Sequence, residues 1–262
     1  MTPPILSLNN ISKRFLARGR VVKAVERISM AVAPGEFVTI VGPSGCGKST
    51  ILNIGSGLMR PTEGTVEVDG SPIRGVTRDV GYVTQQHNLM PWRTLLDNVA
   101  FPLELAGVAK SERHDRAIEL LKMVRLTGFE NAYPHELSGG MRQRGNIART
   151  LIYAPKVMLM DEPFGPLDAQ TRVVLQDQLL EIWNKTGVTI VFITHDLHEA
   201  IGLGDRVVLL SARPGSIVRI DQVPLARPRD VFRMHDSAEF RVLYDSIWTE
   251  LERQVQAQGR ES

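Results

Sequence analysis

The chain lacks the features that mark several whole classes of protein. It has one cysteine in 262 residues, so no disulfide framework can hold it. Its 31 basic and 29 acidic residues leave a net charge of +2, too little for a global field that would recruit nucleic acid or an anionic membrane. No run approaches the roughly 18 consecutive apolar residues of a membrane-spanning helix. Met1-Thr2-Pro3-Pro4-Ile5-Leu6 has neither the charged start nor the apolar core and small-residue cleavage site of a signal peptide, which predicts a protein kept in the cytoplasm. Glycine shows no period, and no internal repeat or low-complexity segment occurs. What is present is an ordinary globular composition, 43% apolar, long enough for one domain with subdomains. Local constellations must carry the function.

Short apolar or alternating runs predict strands at Ile5 to Leu8, Val21 to Val25, Ile28 to Val32, Glu36 to Val41, Gly64 to Gly70 and Asp79 to Thr84. From about Thr94 to Tyr153 the texture is helical, with Ala117, Leu120, Leu121 and Val124 forming one stripe, and with Pro102, Gly107, Gly128 and Pro134 as punctuation. Strand-like Val157 to Met160, Val188 to Ile193 and Arg206 to Leu210 then alternate with helical Ala169 to Lys185 and Leu197 to Ile201. That alternation predicts an α/β fold with a mostly parallel sheet. In the tail, Leu243, Ile247, Leu251 and Val255 recur four apart with Trp248 on the same side, an amphipathic helix that packs on the body or meets a partner.

Three segments carry chemistry. Gly42-Pro43-Ser44-Gly45-Cys46-Gly47-Lys48-Ser49-Thr50 follows a predicted strand, opens a predicted helix and fits G-x-x-x-x-G-K-[ST]. A string of this kind arises by chance in roughly one chain in a hundred of this length. Its backbone N–H groups can surround phosphate oxygens, Lys48 adds charge at the β and γ phosphates, Ser49 offers its hydroxyl to Mg²⁺, and Thr50 bonds a phosphate nearer the ribose. Val157 to Met160 runs into Asp161-Glu162, where Asp161 suits the Mg²⁺ shell and Glu162 suits a base for the attacking water. Leu137-Ser138-Gly139-Gly140-Met141-Arg142-Gln143-Arg144 begins a helix capped at Ser138, with two glycines exposing N–H groups. One nucleotide does not need two such loops, so this one is read as capping the γ-phosphate held by a second copy of the chain. Cys46 lies at a helix start, where the thiol is either activated or a small spacer.

With these three segments in their order, and with Gln85, Asp168 and His195 between and after them, the chain resembles the ATPase subunit of an ABC transporter from about Leu6 to Leu210. The resemblance implies a phosphate-loop NTPase fold with an N-terminal antiparallel β subdomain and an α-helical subdomain at about 86–156, in an ATPase domain of 1–235 followed by a helix and tail at 236–262. It implies ATP and Mg²⁺ as ligands, Phe15 stacked on adenine (or else in the core), Gln85 on the metal or water, His195 at the γ-phosphate, and Asp168 in the loop between copies. Pro166 and Met141 depart from the usual pattern, where a small residue and Gln are common, and neither removes a catalytic group.

Leu89-Met90-Pro91-Trp92-Arg93-Thr94, Asp161 to Gly165, Leu210-Ser211-Ala212-Arg213-Pro214-Gly215 and the tail from Phe240 to Leu251 are similar to the ATPases of nitrate, sulfonate and taurine importers. The implied partners are a second ATPase copy in a homodimer, an integral membrane permease and, indirectly, an extracytoplasmic solute-binding protein, with no nucleic acid. The implied location is the inner face of the cell membrane. Leu89, Met90 and Trp92 are the candidates to face the permease, Trp92 reading equally as packing. The rival, a soluble ABC ATPase of DNA repair or translation, would need a long coiled-coil insertion, zinc-binding cysteines or a second cassette, and none is visible.

Overall fold

The computed structural model describes residues 3–17 and 19–260; Met1, Thr2, Arg18, Glu261 and Ser262, hence the start of the Met1 to Leu6 stretch and the end of the tail, lie outside the described residues. The chain forms two compact units, one from Met1–Thr77 with Val188–Ser262 and one from Arg78–Gly187.

The first unit opens with an antiparallel sheet ordered β2-β1-β4-β5, from β1 (Leu6–Ala17), β2 (Arg20–Val32), β4 (Glu63–Val68) and β5 (Ser71–Pro72). β1 runs beyond the expected Ile5 to Leu8 because Asn9-Asn10 form a bulge that the strand passes through. Asn10 adopts a φ of 50°, the pairing with β2 shifts between Leu8 and Ile11, and Asn10 accepts a bond from the Ser29 hydroxyl at 3.0 Å. The two runs Val21 to Val25 and Ile28 to Val32 likewise merge into β2, with Arg27 at a φ of 52° and its N–H bonded to the Ser12 hydroxyl.

The same unit holds β3 (Phe37–Val41) between β8 (Thr189–Ile193) and β9 (Arg206–Leu210), all parallel, with β10 (Ile217–Gln222) antiparallel at the edge beside β9. Every residue of β3 and β8 is buried, the continuous apolar pattern of a strand covered on both faces. The sequence reading did not anticipate β10: its Val218 and Ile220 face solvent, and its inward residues Arg219 and Asp221 are charged and paired with each other.

Three helices complete this unit: α1 (Lys48–Gly55), α6 (Leu197–Leu203) and α7 (Ala238–Arg260). α7 packs on the body through Phe240, Leu243, Ile247 and Leu251, which meet Val41, Leu197, Ile201 and Leu209. Val255 and Trp248 do not join that face and are about half exposed, at 51% and 49%; Trp248 instead stacks on Tyr244, with ring centroids 6.2 Å apart.

The second unit contains parallel β6 (Val80–Val83) and β7 (Val157–Asp161), with α2 (Leu95–Leu105), α3 (Lys110–Met123), α4 (Gly139–Leu151) and α5 (Ala169–Thr186). Pro102 lies inside α2 rather than ending it. The turn before α2 is built on Asn98, which is fully buried. Its amide donates to the carbonyls of Met90, Arg93 and Thr94 and accepts the Met90 N–H at 2.7 Å.

The short helix α6 depends on a distant cation. Arg229, its side chain 2% exposed, donates to the carbonyls of Ile201, Gly202 and Gly204, which the end of α6 leaves without helical partners. Burial and the neighbouring Arg227 charge lower its pKa to about 10. Arg229→Met should therefore cost about 1–3 kcal/mol of stability by orphaning those carbonyls, read as a fall in urea midpoint with an unchanged slope.

Candidate active site

Parallel pairing fixes where the site residues stand. In the first unit Ile40 pairs with Ile193, so Gly42 and His195 each follow two residues beyond the same rung, at the carboxyl edge of the sheet. In the second unit Val83 pairs with Met160, and Gln85 and Glu162 likewise follow two residues beyond. Ligands of parallel α/β sheets bind outside such carboxyl ends.

The loop Gly42 to Thr50 is shaped by backbone that side chains would obstruct. A Cβ on Gly42 would lie 3.0 Å from Leu210 Cβ, and one on Gly47 would lie 2.5 Å from Val25 Cγ1 and 2.8 Å from the Ala24 carbonyl oxygen. Gly47 also has a φ of 104° as the N-cap of α1. Lys48 is buried, its Nζ donating to the carbonyls of Gly42 at 2.9 Å and Pro43 at 3.0 Å, which lays the ammonium over the loop. Ser44, Gly45 and Ser49 face outward. The start of α1 has no side-chain cap and no acidic residue in its first turn. By contrast Thr94, Ser138, Asp168 and Asp196 cap α2, α4, α5 and α6 through side-chain oxygens. An N-terminus with that composition is suited to an anionic ligand.

Cys46 corrects the idea of an activated thiol. It is 0% exposed, and burial pushes its pKa up, outweighing the nearby Lys48 charge that acts to lower it. A thiol in that setting is an inert spacer, already shielded by the fold without a nucleotide.

Phe15 stands on β1 opposite Val22, half-buried, with Lys13 Nζ 5.4 Å from its ring centroid. It is not in the core. His195 is exposed at the end of β8. The turn beyond it is fixed by Asp196, which takes the His198 N–H at 2.8 Å, while the His198 ring packs on Tyr244 of α7 at 4.6 Å between centroids.

In the second unit Asp161 ends β7 and accepts a hydrogen bond from the Tyr82 hydroxyl at 3.3 Å. Burial, and then the Asp161 charge, push the Tyr82 pKa well up, so the phenol stays a donor. Glu162 has a φ of 45°, a left-handed conformation uncommon for a non-glycine residue. Gly165 closes that turn with its N–H on the Glu162 carbonyl, and a Cβ there would come within 3.4 Å of Gln85 Nε2. Gln85 and the Asp161-Glu162 turn are therefore neighbours.

Ser138 caps α4 by accepting the Met141 N–H at 3.2 Å. The two glycines after it have a packing role as well: a Cβ on Gly139 would press Leu167 at 3.2 Å, and one on Gly140 would press Thr171 at 2.9 Å. Asp168 caps α5 by accepting the Thr171 N–H at 2.9 Å, and the Thr171 backbone and hydroxyl bonds hold its carboxyl below the usual range. Leu89 is buried, at 5% exposed, and is corrected as a permease-facing candidate, whereas Trp92 is 71% exposed.

A cavity of about 400 Å³ in this unit is lined by Gln85, His87, Gly139, Arg142, Pro163 and Leu167, among others. Sequence reasoning missed His87 and Arg149, since no motif marks either. The Arg149 guanidinium donates to the carbonyls of His87 and Asn88, shaping the turn after Gln85.

Comparison with known proteins identifies the family. A family profile described as ABC transporter matches residues 25–165. The chain is 54% identical, over 86% of its length and 84% of the relative's, to an uncharacterized ABC transporter ATP-binding protein of Methanocaldococcus jannaschii. It is 43% identical, over 92% of each chain, to the aliphatic sulfonates import ATP-binding protein SsuB of Bacillus subtilis. A solved dimeric ATP-binding cassette in a post-hydrolysis state, bound to ADP and Pi, superposes at a TM-score of 0.75 with 35% identity, covering 84% of this chain and all of that one. The fold and site thus define an ATP-hydrolysing cassette of the phosphate-loop class. The chain belongs to the ABC transporter ATP-binding family.

One pH dependence follows. His87 has its pKa lowered, first by burial and then by the Arg142 and Arg149 charges, and its Nδ1 accepts the Leu89 N–H at 3.3 Å. The neutral form is thus favoured in the folded chain, and the unfolded chain binds the proton more readily. Stability contributed by neutral His87 is present above the unfolded pKa of about 6.5 and is lost as pH falls through the folded value. Melting temperatures measured between about pH 7 and pH 5 should fall less steeply in His87→Gln than in the parent.

Proposed function

We propose that the chain energises solute import through a separate membrane permease, for a solute of the nitrate, sulfonate or taurine class. The observation that carries this reading is the relation to a sulfonates import ATP-binding protein over 92% of both chains. Among the described residues no helix is long and apolar enough to cross a membrane, so transport calls for another protein to span it. Trp92, 71% exposed on the turn before α2, is the contact assigned to that permease at the inner face of the membrane.

In this reading two copies pair head to tail in an isologous dimer. The Gly42 to Thr50 loop of one copy holds the phosphates of ATP, with Phe15 stacked on the adenine. Ser138, Gly139 and Gly140 of the other copy donate to the γ-phosphate, and Asp168 lies in the loop between copies. Ser49, Gln85 and Asp161 supply hydroxyl, amide and carboxylate oxygens, the hard donors that suit Mg²⁺ beside substrate phosphates and water. That ion would neutralise charge on the β and γ phosphates.

Glu162 takes a proton from water as its oxygen attacks the γ-phosphorus in line and the bond to the β–γ bridging oxygen breaks, giving ADP and phosphate. Gln85 would coordinate Mg²⁺ or the water when ATP is bound, and His195 would contact the γ-phosphate and hold the catalytic geometry. Loss of the γ-phosphate removes the group that both copies grip, so hydrolysis opens the dimer and drives the permease.

Glu162→Gln should keep ATP affinity while lowering kcat by about 100-fold or more, measured as phosphate release, and should accumulate as an ATP-bound dimer. Parental turnover would remove Glu162 as the base. Lys48→Ala should raise the Kd for ATP about tenfold or more, and an unchanged Kd would dismiss the phosphate-loop assignment. Purified from its own cells in mild detergent, the chain should bring an integral membrane protein with it, and Trp92→Ala should reduce that recovery. Recovery only with DNA or ribosomes would overturn the import reading.

A further inference from the structure

We infer that the turn Ser211 to Ser216, and Gly215 above all, is a positioning element for nucleotide binding, holding the backbone of the Gly42 to Thr50 loop in its phosphate-receiving shape. The inference rests on the reading of that loop as the ATP phosphate site and adds residues far from it in sequence.

Gly215 is buried directly against the loop. A Cβ built on it would lie 2.1 Å from the Cys46 carbonyl oxygen and 3.2 Å from the Cys46 carbonyl carbon. The obstructing atoms are backbone, so a side chain at 215 cannot be accommodated by a rotamer change; Cys46 itself must move. The φ of Gly215 is not among the left-handed values, so close approach alone demands glycine there.

The other side of Gly215 is tied to β2. Its N–H donates to the Ala24 carbonyl at 2.9 Å, and its carbonyl accepts the Glu26 N–H at 2.9 Å. Ala24 and Val25 are the same residues that a Cβ on Gly47 would strike. β2 therefore lies against Gly47, Gly215 against Cys46, and Leu210, the last residue of β9 just before the turn, against Gly42. Three separate supports bear on three loop residues.

The turn is stiff enough to act as a support. The Ser211 hydroxyl lies 2.9 Å from the Ala212 carbonyl oxygen and 3.0 Å from that of Pro214, and accepts the Ser216 N–H at 2.9 Å. The Ser211 N–H also donates to the Ser216 carbonyl at 2.9 Å, closing the turn on itself. Phosphate binding by backbone N–H groups requires their directions to be fixed before the ligand arrives, and this segment supplies that fixation from beneath.

The sole cysteine makes the claim testable. In the parent chain Cys46 is 0% exposed, so a thiol reagent such as DTNB should label it slowly in the absence of nucleotide. Gly215→Ala should label faster and bind a fluorescent ATP analogue with Mg²⁺ about tenfold more weakly at a temperature well below its own melting transition, which the displaced Cys46 backbone should lower by a few degrees. Either readout remaining at the parental level overturns the assignment, as does a loss of affinity confined to temperatures near the melting transition.

Should Gly215→Ala fail to fold, Ser211→Ala loosens the turn without adding bulk. It should raise Cys46 labelling and weaken the analogue, with Ser211→Thr restoring both; parental values in Ser211→Ala overturn the assignment. A parent chain that binds no ATP analogue would instead overturn the phosphate-loop reading, and this inference with it.

Discussion

Backbone N–H groups can bind phosphate only where the chain bends sharply and nothing covers the bend, and that constraint governs the part of this protein around Gly42 to Thr50. The loop leaves a strand buried on both faces and enters a helix that carries no cap of its own. Its glycines are set by neighbours as much as by their own torsions: Gly42 by Leu210 and Gly47 by Ala24 and Val25. β3 must therefore lie between β8 and β9, because β9 delivers Leu210 and β8 delivers His195 to the same edge. The parallel arrangement is a requirement of the chemistry as well as of burial.

The polar groups of the second unit follow a related economy. Ser138 and Asp168 each satisfy a helix N-terminus with their own side chains, and the small residues after Ser138 let α4 approach Leu167 and Thr171. Glu162 accepts an unfavourable φ to stand beyond the strand end, and Gly165 closes the turn behind it. Tyr82, kept protonated by burial and by Asp161, donates to that carboxylate instead of competing with it as an anion. Structural and functional uses of one residue are thus layered: a cap that orders a loop also presents it.

Much of this was legible because the chemistry needs residue types at fixed spacing. Gly42 to Thr50, Ser138 to Gly140 and Asp161-Glu162 announce themselves, and the alternation of β7, α5, β8, α6 and β9 is plain hydrophobic periodicity. What escaped the sequence reading depends on partners remote along the chain. β1 and β2 run through apparent turns because bulges at Asn10 and Arg27 are stabilised by Ser29 and Ser12 across the sheet. β10 is an edge strand whose paired charges hide its pattern. For Cys46 the sequence offered an activated thiol or a spacer, and only the surrounding burial decides for the spacer. Leu89 sits in a surface-like motif but turns inward. Each miss is a tertiary effect overriding a local signal.

The first unit is discontinuous, and while Ala24 and Val25 brace the phosphate loop from its own segment, Leu210 and Gly215 brace it from beyond the whole of the second unit. During synthesis Gly42 emerges early, whereas Leu210 and Gly215 follow roughly 170 residues later, a delay on the order of 10–30 s at typical elongation rates. The loop is made long before it can take its final form. The contacts of Leu210 on Gly42 and of Gly215 on Cys46 therefore form only after the second unit has been synthesised.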